Sequence, residues 1–265
     1  MFVEFTKMEG AGNDFVVIDA RSAAVTVDAA RCHRLADRHY GVGCDQVLVL
    51  RPDDDSDARL EIFNADGSAA QQCGNGLRCV AWFIAAEKAA DEVVIRTADG
   101  LQRAAVISPG QVSVAMPVPD FEPASAGCLQ PSPLVFGDRH YDFRTVSLGN
   151  PHAVIAVDSV EKAPVAELGA ALQSAFNSGV NVGFAQRLDN DTLQLRVWER
   201  GAGETLACGS GACAAAVLAL LDTPGQRQAA VHLPGGQLMV RWEGQGEPVI
   251  LQGPATKVFE GRIDL

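Results

Sequence analysis

The chain carries one short signature twice. Cys73-Gly-Asn-Gly76 and Cys208-Gly-Ser-Gly211 lie 135 positions apart, and each leads into an apolar helical stretch. At the same offset Gln46 falls on Asn181, Asn64 on Glu199, and Leu60-Glu-Ile-Phe63 on Leu195-Arg-Val-Trp198. A looser pair, Gly12-Asn-Asp-Phe-Val-Val-Ile18 and Gly149-Asn-Pro-His-Ala-Val-Ile155, is displaced by 137, which one short indel accounts for. Two copies of such a unit fill the 265 residues, so the fold is expected to be built from two similar halves.

The seam between them should lie in Pro117 to Pro133, which holds five of the 13 prolines and little periodicity. That places one half at residues 1–117 and the other at 118–265, with the last residues a segment able to pack back on the first half. Short strands dominate both: Phe2 to Lys7, Phe15 to Asp19, Gln46 to Leu50, Leu60 to Phe63, Glu92 to Thr97 and Gln102 to Ile107, then Tyr141 to Ser147, Ala153 to Val157, Leu193 to Trp198, Gln237 to Trp242 and Val249 to Gln252. Val27 to Arg38 and Pro164 to Phe176 have the pattern of amphipathic surface helices. Gly76 to Ala86 and Gly211 to Leu221 are apolar nearly all round, which demands burial on every side. A mixed sheet or barrel wrapped around one central helix provides that burial. The expected class is α+β, with two pseudo-symmetric domains and the active site in the cleft between them.

Composition narrows the function. The formal net charge of −12 repels polyanions, and no dense Lys/Arg cluster offers a nucleic-acid footprint. The longest apolar run, Ala212 to Leu221, is too short to span a bilayer, and the N-terminus lacks the pattern of a signal peptide. A cytoplasmic location and reduced thiols are the expectation for seven irregularly spaced cysteines.

Cys73 and Cys208 each sit where a loop gives way to a helix, and there unpaired N–H groups and the macrodipole favour the thiolate. Each is expected to have its pKa depressed and to be able to act as a base. The amides of Gly74 and Asn75 on one side, and of Gly209 and Ser210 on the other, form two anion sites. Thiols on opposite sides of one carbon invert a stereocentre: one removes the α-hydrogen, the other delivers a hydrogen to the opposite face. With reacting atoms at about 3 to 3.5 Å, the sulfurs would lie roughly 6 to 7 Å apart, close enough for oxidation to join them after modest closure. No Lys or phosphate-cradling loop suggests pyridoxal chemistry, so no cofactor is expected. Asn13, Gln46, Asn64, Asn150, Asn181, Glu199 and Arg200 fall near the thiol loops, and suit a substrate with several amino and carboxylate groups.

These residues resemble the diaminopimelate epimerase family nearly end to end. The likeness rests on Lys7-Met-Glu-Gly-Ala-Gly-Asn-Asp-Phe15, Gly41-Val-Gly-Cys-Asp-Gln46, the stretch from Asn64 to Arg78, Gly149-Asn-Pro-His152, Asn177-Ser-Gly-Val-Asn-Val182 and the stretch from Trp198 to Gly211. The resemblance implies a cofactor-independent interconversion of LL- and meso-diaminopimelate in bacterial lysine and peptidoglycan precursor synthesis. It implies Cys73 as donor and Cys208 as acceptor in the LL to meso direction, with His152 and Glu199 tuning the thiols. It assigns substrate binding to Asn13, Gln46, Asn64, Gly74, Asn75, Asn150, Asn181, Glu199, Arg200, Gly209 and Ser210. Ser210 stands where many relatives carry Thr. Phe259 stands where some place Tyr in a homodimer contact.

The other cysteines, Cys32, Cys44, Cys79, Cys128 and Cys213, read as core packing, and His33, His39, His140 and His232 as surface or structural. No Cys-x-x-Cys pair or spaced His pair supports a metal site. The nearest enzymatic rival is a two-thiol proline or hydroxyproline racemase, which acts on a shorter substrate.

Overall fold

A computed structural model describes residues 2–22, 25–70, 73–122, 127 and 132–264. In chain order the elements are β1 (Phe2–Gly10), β2 (Asn13–Asp19), α1 (Ala29–Ala36), β3 (Gln46–Arg51), β4 (Ala58–Asn64), β5 (Ala69–Ala70), α2 (Gly74–Lys88), β6 (Glu92–Thr97), β7 (Gly100–Ser108) and β8 (Gln111–Met116). There follow β9 (Leu134–Phe136), β10 (Arg139–Tyr141), β11 (Phe143–Ser147), β12 (Pro151–Ala156), α3 (Val165–Gln173), β13 (Asn181–Arg187), β14 (Thr192–Glu199), β15 (Gly203–Thr205), α4 (Gly209–Leu221), β16 (Gln228–Leu233), β17 (Gly236–Trp242), β18 (Val249–Pro254) and β19 (Thr256–Asp264). The chain divides into two compact units, residues 1–115 with 252–265, and residues 116–251. The C-terminal segment, counted by sequence with the second half, thus belongs to the first: β19 pairs antiparallel with β1 from Phe2 opposite Asp264 to Glu9 opposite Thr256.

The first unit orders its strands by a fixed alternation. β1 and β2 are antiparallel, β2 and β3 parallel, β3 and β4 antiparallel, β4 and β6 parallel, β6 and β7 antiparallel. Parallel neighbours need a crossover, and α1 and α2 supply the two. The central strand β3, Gln-Val-Leu-Val-Leu-Arg, is buried at all four apolar positions because helices cover both its faces. Val47 and Val49 join Cys32 and Leu35 of α1 in one core cluster. Leu48 packs on Gly76 of α2, where an added Cβ would meet its methyl at 3.2 Å. Asp28 caps α1 by accepting the Arg31 N–H at 2.9 Å, so this helix is shorter at both ends than its sequence pattern suggested.

The second unit repeats the alternation: β11 and β12 antiparallel, β12 and β13 parallel, β13 and β14 antiparallel, β14 and β16 parallel, β16 and β17 antiparallel. Equivalent registers carry the sequence offset, with Val47 opposite Phe63 in one unit and Val182 opposite Trp198 in the other. α3 covers one face through Leu168 and Leu172, which meet Val182 and Phe184. α4 packs against β11, β12, β13, β14, β16 and β17 and is buried along nearly its whole length. Its counterpart α2 packs on β1, β2, β6, β7 and β19. An α+β fold of strands wrapped around one helix per unit is what the two apolar helices required. Strands β8, β13, β16 and β19, with the short β5, β9, β10 and β15, add to those that the sequence pattern predicts. Cys128 lies outside the described residues.

Candidate active site

Each unit builds one polar cluster at the N-terminus of its buried helix. In the first, Cys73 occupies the N-cap of α2 in extended conformation, and its sulfur accepts the Gly76 N–H at 3.3 Å. The residue that begins the buried helix therefore also presents the thiol. The parallel pairing of β2 with β3 sets Phe15 opposite Gln46, which brings Asn13 to the same end of the sheet. Asn13 Oδ1 lies 3.8 Å from Cys73 Sγ and accepts from Asn75 Nδ2 at 3.3 Å. Gln46 and Asn64 are register partners, and Gln46 Nε2 donates to Asn64 Oδ1 at 3.0 Å. Among the described residues Gln46 Oε1 is buried with no hydrogen-bond partner. Arg78, one turn into α2, is fully buried and donates to Asn75 Oδ1 at 2.9 Å.

In the second unit Cys208 caps α4, and its sulfur accepts the Gly211 N–H at the same 3.3 Å. Ser210 Oγ is 3.6 Å from the sulfur and accepts from Asn150 Nδ2 at 3.3 Å. Asn150 Oδ1 faces His152 Nε2 at 3.1 Å. An amide oxygen only accepts, so the neutral imidazole carries its hydrogen on Nε2. His152 is the register partner of Asn181, whose side-chain oxygen accepts the Arg200 N–H at 2.9 Å. The Arg200 guanidinium donates to the Ser178 carbonyl at 3.0 Å and is otherwise turned to solvent. Glu199 accepts from Thr205 Oγ1 at 2.5 Å.

The electrostatics of Cys208 depart from the sequence expectation. Burial first, and the Glu199 carboxylate second, push its thiol well above the ordinary value, against the opposing donors Ser210 and the Gly211 amide. The helix end is present, but desolvation outweighs it. Burial also holds His152 at about 3, with the Arg200 charge acting in the same direction, so the imidazole stays neutral. Cys32 and Cys44 are pushed up to about 12 by burial, and Cys79 is pushed up as well. With Cys213 they are packed in the core.

The diaminopimelate epimerase family model matches residues 5–121 and 144–258. A diaminopimelate epimerase of Teredinibacter turnerae is 46% identical over the full length of both chains. One of Xanthomonas campestris pv. campestris is 47% identical, covering 98% of this chain and 95% of the relative. The chain belongs to the diaminopimelate epimerase family. It is an amino-acid epimerase. Among solved structures, a phenazine biosynthesis protein of the PhzF family from Bacillus anthracis shares the fold with a TM-score of 0.75 at 14% identity, covering both chains fully. A hydroxyproline epimerase from Agrobacterium vitis does so with a TM-score of 0.71 at 16% identity, over 99% of this chain and 92% of that one. At such identity these two speak for the fold alone.

Within this family frame, Asn13, Gln46, Asn64, Gly74 and Asn75 gather with Cys73 in the first unit. Asn150, His152, Asn181, Glu199, Arg200, Gly209 and Ser210 gather with Cys208 in the second. Phe259 belongs to neither group. It lies on β19, half exposed, with its ring edge-on to Phe5 at 6.0 Å. Asp45, Asp14 and Arg38, which no sequence motif singles out, hold the Asn13 end of the first cluster. Arg38 donates to both Asp14 oxygens at 2.7 and 3.0 Å, and Lys7 donates to Asp14 at 2.5 Å and to the Gly43 carbonyl. Against the upward push of burial, Arg38 and Lys7 hold the Asp14 carboxyl down to about 2. A lysine and an arginine spaced along the sequence from two aspartates gave no signal of this. Only the pairing of β2 with β3 brings them together.

Proposed function

We propose that the chain interconverts LL- and meso-diaminopimelate without a cofactor, by a reaction in which Cys73 and Cys208 are the two acid/base groups. The observation that carries the reading is the repeated N-cap cysteine: equivalent helices of duplicated units each begin on a thiol, each sulfur held by the amide of the third helical residue. One thiolate takes the α-hydrogen and the other thiol returns a hydrogen to the opposite face, Cys73 delivering and Cys208 accepting in the LL to meso direction. The amides of Gly74, Asn75, Gly209 and Ser210 receive the reacting carboxylate, and favour the charge that develops at the carbon acid. Glu199 and His152 set the protonation of Cys208, the first as a direct neighbour and the second through Asn150 and Ser210. Asn13, Gln46, Asn64, Asn150, Asn181 and Arg200 bind the remaining amino and carboxylate groups, Arg200 as the cation for a carboxylate.

Turnover of the LL-isomer in deuterium oxide under reducing conditions tests this. The expected result is meso product deuterated at the inverted carbon, and no racemisation of proline in parallel. Absence of α-deuterium sinks the proposal. The reading places the enzyme in the cytoplasm, in bacterial lysine and peptidoglycan precursor synthesis. Among the described residues no helix is long and apolar enough to cross a membrane. Phe259 is assigned to a homodimer contact, supported by its exposure beside Phe5; sedimentation of the wild type against Phe259→Glu should show a dimer becoming a monomer.

A further inference from the structure

Four side chains of the first unit form one hydrogen-bonded line. Asp45 Oδ2 accepts from Asn13 Nδ2 at 2.7 Å. Asn13 Oδ1 accepts from Asn75 Nδ2 at 3.3 Å, and Asn75 Oδ1 accepts from Arg78 Nη2 at 2.9 Å. A carboxylate can only accept and a guanidinium can only donate. Each end therefore dictates which way its neighbouring amide faces, and the two requirements agree where the amides meet. A reversed Asn13 would set its oxygen against the Asp45 carboxylate and its NH₂ group against that of Asn75.

Asn13 is thus held with its oxygen toward Cys73, whose sulfur lies 3.8 Å away. We propose that Asp45 and Arg78 are positioning residues for the reaction: they lock Asn13 as a hydrogen-bond acceptor at Cys73, and so keep that thiol carrying its hydrogen before it is delivered. Asp45 is itself anchored, Oδ1 by Arg38 Nη2 at 2.8 Å and Oδ2 by the Asp14 N–H at 3.2 Å. Arg78 is anchored by full burial and by the Gly74 and Pro254 carbonyls, each at 3.4 Å. The second unit makes the opposite choice. There Asn150 turns its NH₂ group toward the thiol loop and its oxygen toward His152.

The proposal rests on Cys73 being an acid/base group, but its test uses no substrate, so a failed epimerase assay and a failed positioning role are distinguishable. Alkylation by iodoacetamide at one neutral pH, followed by peptide mapping, reads Cys73 and Cys208 separately. Asp45→Ala frees Asn13 to turn its NH₂ group to the sulfur, and a donor there favours the thiolate. Cys73 alkylation should rise by roughly fivefold to tenfold, the size of one ordinary hydrogen bond in an equilibrium, with Cys208 unchanged. Asp45→Asn still offers an oxygen to Asn13, and should stay close to the wild-type rate. If Asp45→Asn rises as far as Asp45→Ala, the effect is one of charge alone and the proposal falls. It also falls if Asp45→Ala leaves Cys73 unchanged. A second reading is the S–H stretching band of Cys73, identified by its loss in Cys73→Ser. The wild-type band should lie at the lower frequency of a donating thiol and move upward in Asp45→Ala; a band that does not move overturns the proposal.

Discussion

Cys73 and Cys208 hold the same capping position on equivalent helices, and each sulfur receives an amide at 3.3 Å, yet their surroundings diverge. Cys73 is half-buried, beside the oxygen of Asn13, one of two amides in a line that ends in the charged Asp45 and Arg78. Cys208 is buried, beside a hydroxyl and a carboxylate, on a helix without a charged residue. Where the first unit has Phe15 at the start of its parallel pairing, the second has the neutral, buried His152. Where the first has Asn64, the second has Glu199. Duplication has kept the backbone that makes a thiol a helix cap. What has changed is the polar shell around each thiol.

The largest expected effect treats the halves as equals. Cys73→Ser and Cys208→Ser should each lower epimerase turnover by about 10³-fold, within the range for loss of a general acid or base. Near wild-type turnover in either variant would mean that only one half does chemistry. A smaller effect belongs to the second half alone. Burial holds the His152 imidazole at about 3 against 6.5 in the unfolded chain, so the stability from keeping it neutral is complete above 6.5. It is lost as pH falls from there toward 3, because the unfolded chain binds the proton first; by pH 4 the loss should reach about 3 kcal/mol. Urea unfolding at pH 7 and pH 4 measures it, and His152→Gln should flatten the dependence toward that of a unit with Phe15 in the corresponding place. An unchanged slope would assign the acid sensitivity elsewhere. The smallest effect tests the carboxylate. Glu199→Gln makes the second half resemble the Asn64 side of the first, and should speed Cys208 alkylation by roughly threefold to tenfold with Cys73 unaffected, since burial, the larger cause, remains.

The duplication was legible in the sequence because its polar positions survive in register: Gln46 faces Asn64 across β3 and β4, and the flanking pairs Val47–Phe63 and Val182–Trp198 keep the offset. The two buried helices were legible because nothing but enclosure suits an apolar stretch without a polar face. β13 was not, since Asn-Val-Gly-Phe-Ala-Gln-Arg is buried on both faces at its start and has a glycine where a branched residue would have marked a strand. β19 escaped for the opposite reason: charged and mostly exposed, it is a strand because β1 pairs with it. Most residues of the two polar clusters could be named one by one, but the direction of the Cys208 shift could not. A helix end is visible in a sequence; the desolvation that outweighs it depends on packing that only the folded unit creates. Asp45 was hidden in the same way, as an exposed acid whose meaning depends on Asn13, 32 positions earlier.

The pairing of β1 with β19 also orders events during synthesis. Residues 116–251 form a continuous stretch, and have every strand of their unit once that stretch has left the ribosome. The other unit does not: Phe2 waits for Asp264, which is made 262 residues later (264 − 2 = 262). The unit begun first is therefore finished last, and a polypeptide that stops before Thr256 lacks the strand that pairs with β1.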